Sequence, residues 1–175
     1  LMMCMLFVTV YGSTAIDRFL PRRTASFRST ATSTLPPETL WPYLDLSPDS
    51  QPRHFSDDIV AMEWIIPGTT YREISRSGDV AQIDAIVTLD PQAAPFTRHS
   101  SYTVPSAKPD TPGATGTRTE TLTAEGAGSR LHRSRQISNQ TLRSCAFLWV
   151  DDAFGRHDDE DILMAQGRER ALKTA

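Results

Sequence analysis

Apolar and polar residues alternate most clearly at Ala81–Leu89, where Ala81, Ile83, Ala85, Val87 and Leu89 share one parity and Gln82, Asp84, Ile86 and Thr88 the other. Period-two alternation of this kind predicts a strand with one buried face. Extended segments are also predicted at Thr24–Thr34, Ile59–Ile66, Thr69–Ile74, Thr97–Val104, Thr117–Ala124, Ser129–Ser138 and Thr141–Val150. The last of these is apolar on both sides, with Leu142, Ala146, Leu148 and Val150 against Cys145, Phe147 and Trp149, which suits a central strand. Turn signals separate the segments: Pro67-Gly68, Ser75–Asp79, Asp90–Pro95, Glu125–Gly128 and a proline- and glycine-rich loop over Pro105–Gly116.

Two helices are expected. Leu35–Leu44 carries prolines where a first helical turn tolerates them, Thr34 as a candidate cap and Glu38 in the first turn. Pro42 keeps this helix short. A second helix is predicted after Asp158, although its apolar stripe is weak and Gly167 interrupts it. The order is strand, short helix, a run of hairpin-linked strands and a terminal helix. This is a meander in an α+β domain, not alternating βα units.

The chain opens with an apolar run of eleven residues, Leu1–Tyr11, broken only by Thr9 and followed by Arg18, Arg22 and Arg23. A membrane-spanning helix needs about 20 apolar residues. Three readings are open: the end of a membrane anchor, the apolar part of a signal peptide with Ser13-Thr14-Ala15 as cleavage site, or an ordinary element of the fold. Under the first, the positive-inside rule puts the folded part in the cytoplasm, tethered to the membrane. The organisation is then residues 1–23 as apolar segment and connector, and 24–175 as the folded domain.

Length and composition change this picture little. With 175 residues, the chain is long enough for one domain with a real core. The net charge of −3 argues against a dedicated nucleic-acid binder, which needs a basic surplus to displace phosphate counterions. Sixteen of the eighteen basic residues are arginines, but they are scattered. The two cysteines, Cys4 and Cys145, form neither a metal-ligand spacing nor a disulfide framework.

The segment Thr32-Ser-Thr-Leu-Pro-Pro-Glu-Thr-Leu-Trp-Pro-Tyr-Leu44 resembles the strand-then-short-helix opening of the START-like, or SRPBCC, superfamily, which includes the polyketide cyclase/dehydrase group. The hairpin Thr121-Leu-Thr-Ala-Glu-Gly-Ala-Gly-Ser-Arg-Leu131 resembles its late turn. The resemblance spans roughly residues 24 to 173 and rests on the order of these motifs. It implies a helix-grip fold, with a C-terminal helix across a curved antiparallel sheet and a cavity for lipids, polyketides or other apolar molecules. It implies no cofactor.

Candidate cavity residues, chosen for size and position, are Trp41, Trp64, Ile83, Tyr102, Phe147 and Trp149. The strand-borne groups able to do acid–base chemistry are His99, Tyr102, Asp84 and His132, and nothing in their spacing shows that any two converge. The acidic run Asp151–Asp161, with His157, fits a solvated helix start better than a metal site. Arg130, His132, Arg133 and Arg135 read as a row facing solvent, with a site for an anionic head group or a nucleic-acid backbone as the alternative. Gly126-Ala-Gly128 is a turn and not a phosphate loop. Asn139-Gln140-Thr141 fits a glycosylation sequon, relevant to a secreted chain only. Three functions are expected from these readings: binding of a hydrophobic small molecule, a cyclase or dehydratase acting on a polyketide or aromatic substrate, or a protein-interaction module without ligand.

Overall fold

The hairpin signals at Pro67-Gly68 and Glu125–Gly128 form turns in the computed structural model, which describes residues 21–51, 58–77, 81–105, 113–142, 145, 160–167 and 169. Gly68 and Gly126 both adopt positive φ, 74° and 59°, the left-handed region open to glycine at little cost. The strands are β1 (Arg23–Ser33), β2 (Ile59–Ile66), β3 (Thr70–Ser77), β4 (Ala81–Leu89), β5 (Thr97–Val104), β6 (Ala114–Glu125) and β7 (Gly128–Gln140), with helix α1 (Pro37–Leu44) between β1 and β2. A second helix, α2, covers residues 160–167. The strands form one curved antiparallel sheet in the order β1-β7-β6-β5-β4-β3-β2. The α+β helix-grip architecture is therefore present.

Several local expectations are corrected. Helix α1 starts after Pro36, which makes no side-chain cap. Just before it, Ser33 Oγ accepts the Leu35 N–H at 3.0 Å. Strand β3 runs on through Ser75 to Ser77, because each residue from Thr70 to Ser77 has a partner in β4. Strand β6 begins at Ala114, three residues inside the expected loop, where Val104 of β5 pairs with it. Thr141–Val150 does not begin as a strand: Leu142 and Cys145 are helical, and the Cys145 N–H donates to the Thr141 carbonyl at 3.0 Å. Residues 146–150, Phe147 and Trp149 among them, lie outside the described residues.

The core occupies one end of the sheet's inner face. Ala31 of β1, Leu122 of β6 and Leu131 of β7 meet Leu40 and Leu44 from α1 and Ile162 and Ala165 from α2. Proline at position 42 and an eight-residue length leave α1 few internal hydrogen bonds, so packing holds it. Helix α2 is tied down by polar contacts too: Gln166 Nε2 donates to Ser33 Oγ at 2.8 Å. Beyond α1 the chain is knotted around Asp45. Ser47 Oγ donates to Asp45 Oδ2 at 3.0 Å and Ser50 Oγ to the Asp45 carbonyl at 2.6 Å. This turn places Leu46 over the middle of the sheet, where its carbonyl accepts the Tyr71 hydroxyl at 2.7 Å.

Residues 1–20 lie outside the described residues, so the expectations for the N-terminal run are not addressed by the structure. No described helix is long and apolar enough to cross a membrane.

Candidate functional site

Strand alternation decides what faces inward, and moving along each strand away from the core gives three successive layers. On β6 the inward residues are Leu122, Glu120, Arg118 and Gly116; on β7 they are Leu131, Arg133, Arg135 and Ile137. Leu122 and Leu131 belong to the core, while Arg118, Arg135 and Ile137 line a cavity. Glu120 and Arg133 lie between the two as a belt of buried charge.

The belt is organised by register. Glu120 pairs across β5 with Arg98 and across β7 with Arg133. All three are buried, at 2–5% exposure, which ionisable side chains tolerate only when paired. Glu120 Oε2 accepts from Arg98 Nη2, and Oε1 accepts from Arg118 Nη2 and, at 2.6 Å, from Arg133 Nε. Arg133 Nη1 donates to Asp161 Oδ2 of α2 at 2.7 Å, and Arg98 Nη1 lies 3.5 Å from Asp45 Oδ1. The belt thus connects both helical segments to the sheet. Burial would raise the Glu120 carboxyl, but Arg118, Arg98, Arg133 and Arg135 together hold it well below the usual carboxylate range.

Two expectations change here. Arg133 and Arg135 do share a face, but it is the inner one; Arg130 and His132 face out. Alternation from Leu131 fixes this, and Glu120 makes the burial of Arg133 tolerable. Likewise Asp161, expected in a solvated helix start, is paired with a buried arginine. Among the described residues no cluster of histidine, cysteine, aspartate and glutamate could hold a metal ion.

The cavity has a volume of about 350 Å³ and lies on the inner face of β3 to β7, on the far side of the belt from the core. Leu46, Ile83, Ala85, Val87, Val104 and Ile137 give it apolar walls. Its polar lining comes from Tyr71, Glu73, Ser75, Arg98, Ser100, Tyr102, Arg118 and Arg135. Burial pushes the Tyr71 hydroxyl up. It also pushes up the Glu73 carboxyl, against the pull of Arg118 and Arg98, and the Tyr102 hydroxyl, against the pull of Arg135 and Arg118. The Tyr102 ring lies against its cross-strand partner Gly116, where a Cβ would collide with the ring, its hydroxyl and the Gln136 carbonyl. Gly116→Ala is therefore expected to displace the ring and destabilise the fold by about 1–3 kcal/mol, read as a lower urea midpoint with weakened dye binding in the cavity.

Of the residues singled out by sequence, Ile83 and Tyr102 line the cavity. Trp64 stands beside it, edge-on to Tyr71 at 5.7 Å, its Nε1 donating to Asp49 Oδ1 at 3.1 Å. Trp41 packs edge-on to Phe96 at 6.5 Å, against the core and away from the cavity lining. Asp84 is exposed on the outer face, where Arg72 donates to it through Nε at 2.9 Å and through Nη2; these bonds lower its pKa. His99 is also exposed on that face, its Nδ1 3.1 Å from Thr119 Oγ1. His132 borders an outer groove with Arg28, Thr30, Thr119, Thr121 and Ser134. Asn139, of the sequon, has φ 62° and donates to the Gly113 carbonyl at 3.0 Å. The structure therefore separates Asp84 and His99 from Tyr102. His99→Gln and Asp84→Asn are expected to leave dye affinity in the cavity unchanged within error, as measured by fluorescence titration.

Sequence reasoning missed Glu73, Arg98, Arg118 and Glu120 altogether. A signal was present. Counting in twos from the apolar residues Val104, Leu122 and Leu131 reaches Arg98, Glu120 and Arg118, and Arg133 and Arg135. Polar residues at both parities of these strands hid the pattern.

No protein-family model and no curated protein matches the chain. Solved structures do. Ara h 8.0201 superposes with a TM-score of 0.56 at 14% identity, over 85% of this chain and 99% of its own. The Mll3558 protein from Rhizobium loti gives 0.58 at 18% identity, over 86% and 99%. XoxI from Bacillus cereus gives 0.57 at 13% identity, over 85% and 98%. At such identities the likeness is one of fold, and the chain shares with these proteins an antiparallel sheet of the helix-grip type.

Proposed function

We propose that the chain binds a hydrophobic small molecule in the inner-face cavity. The observation that carries this reading is the cavity itself, about 350 Å³ with six aliphatic residues in its walls, on the inner face of the sheet beyond the end packed against the helices. Concave, largely apolar spaces of this size with a few polar groups are where small ligands bind. The uncharged dye N-phenylnaphthylamine tests it. Its fluorescence is expected to rise on binding, with saturation at one site, and Val87→Trp, which fills the cavity, is expected to weaken that binding. No saturable binding, together with no retained small molecule in native mass spectrometry of the purified protein, defeats the reading.

A second reading, an enzyme of the cyclase or dehydratase type, is favoured by one observation: Glu73 and Tyr102, both with raised pKa values, line the same cavity. A carboxylate able to take a proton next to a carbonyl and a hydroxyl able to donate to the enolate are the groups such chemistry needs. Proton exchange at the carbon between the carbonyls of an aryl β-diketone, followed by NMR in deuterated water, is expected to speed up with the protein and to slow again in Glu73→Gln. An unchanged exchange rate leaves the binding reading alone.

A further inference from the structure

The cavity wall changes character from one strand to the next. On β4 it is apolar throughout: Ile83, Ala85 and Val87. On the neighbouring β3 it is polar: Tyr71, Glu73 and Ser75. Antiparallel register sets these residues opposite one another, Tyr71 with Val87, Glu73 with Ala85 and Ser75 with Ile83. The middle pair is the unequal one. Glu73 has a long side chain and faces the smallest of the three β4 residues, so a bound molecule can approach its carboxyl group over the alanine methyl.

Glu73 is also the carboxyl group that the buried belt does not use. Glu120 accepts hydrogen bonds from Arg98, Arg118 and Arg133. On Glu73, by contrast, Arg118 and Arg98 act through space and not by a hydrogen bond. The Tyr71 hydroxyl, two residues away on the same strand, is turned to the Leu46 carbonyl. A carboxyl group withdrawn from water costs free energy until a donor meets it, and a donor carried in by a bound molecule recovers that cost. Its oxygens accept hydrogen bonds in either protonation state. The guanidinium charges of Arg118 and Arg98 oppose a cation at this position, which narrows the donor to an uncharged one.

Resting on the binding reading above, we propose that Glu73 is the specificity-determining residue of the cavity and selects apolar molecules bearing an uncharged hydroxyl, an alcohol or a phenol, by accepting a hydrogen bond from it. The hydroxyl would sit over Ala85, between Glu73 and the apolar wall. The body of the molecule would lie along Val87, Val104 and Ile137.

Two biphenyls isolate the donor. In para-fluorobiphenyl a fluorine, close to a hydroxyl in size but donating nothing, replaces the hydroxyl of para-phenylphenol. Competition against N-phenylnaphthylamine reads both affinities. The wild-type protein is expected to bind the phenol about tenfold more tightly or better, although the fluoro compound is the more apolar. In Glu73→Met, which keeps the length of the side chain and removes the carboxyl oxygens, the ratio is expected to fall to one or below. The same rings carrying an ammonium, in para-phenylbenzylamine, are expected to bind more weakly than the phenol. Near-ultraviolet circular dichroism checks that the variant is folded; should it not fold, Glu73→Leu takes its place. Equal or weaker binding of the phenol, or its failure to displace a bound dye, overturns the selectivity. So does a preference that survives removal of the carboxyl group, or an ammonium that binds more tightly than the phenol. Each of these leaves cavity binding intact. Failure to bind the uncharged dye at all overturns the cavity reading itself.

Discussion

Replacing Glu120 by alanine is expected to lower the free energy of unfolding by about 3–5 kcal/mol. The carboxylate is 2% exposed and accepts from Arg98, Arg118 and Arg133, two of them equally buried. Removing it takes from three guanidinium groups the carboxylate they share, and the penalty exceeds the worth of any single contact. Urea unfolding at neutral pH measures the loss. The same residue makes stability depend on pH. Its folded pKa lies below the unfolded value, so its contribution is complete above the unfolded carboxyl pKa, about 4.3, and disappears as pH falls through the depressed folded value. The wild-type unfolding free energy should therefore fall with acidification below about pH 4. Glu120→Gln, which cannot titrate, should be less stable at neutral pH and should lose Glu120's contribution to that acid-side decline. An acid limb of equal steepness in both proteins would show that other carboxylates carry it.

Leu40→Ala is expected to cost about 2–5 kcal/mol and to weaken dye binding at a site that Leu40 does not touch. The side chain is fully buried, at 0% exposure, between Leu44, Leu122, Leu131 and α2. The eight-residue α1 contains Pro42 and no side-chain cap, so neither propensity nor capping replaces the lost packing. Loosening α1 also releases two residues just past its C-terminus: Asp45, which meets Arg98, and Leu46, which borders the cavity and accepts the Tyr71 hydroxyl. Thermal unfolding reports the first effect and N-phenylnaphthylamine titration the second. A destabilised variant with unchanged dye affinity would mean that the turn at Asp45 is held by its own hydrogen bonds.

The cavity, the belt beside it and the core divide the strands into layers. The outermost inward residues are apolar or aromatic and face the cavity, the next are arginines turned toward it, the next are the compensated ions, and the last are leucines in the core. Each step is two residues, so one strand such as β7 contributes to every layer.

Much of the fold was legible locally. Alternation at Ala81–Leu89 gave the face of β4 correctly, because a half-buried strand must place apolar residues two apart. Gly68 and Gly126 marked turns because they alone of their neighbours accept positive φ cheaply. Pro36 and Pro37 bounded α1, where an absent N–H costs nothing. Even the pairing of Glu120 with Arg133, and of Arg118 with Arg135, was contained in the two-residue turn Gly126-Ala127, since a tight hairpin fixes its own register. Tertiary structure alone decided the rest. Arg98 meets Glu120 across a connection whose length does not set the register, and Asp161 reaches Arg133 from 28 residues away. Buried charge is permitted only where partners from distant segments converge, and short-range polarity cannot announce that convergence. It therefore read the arginines of β7 as solvent-facing, when the long-range neighbours of those residues had placed them inside.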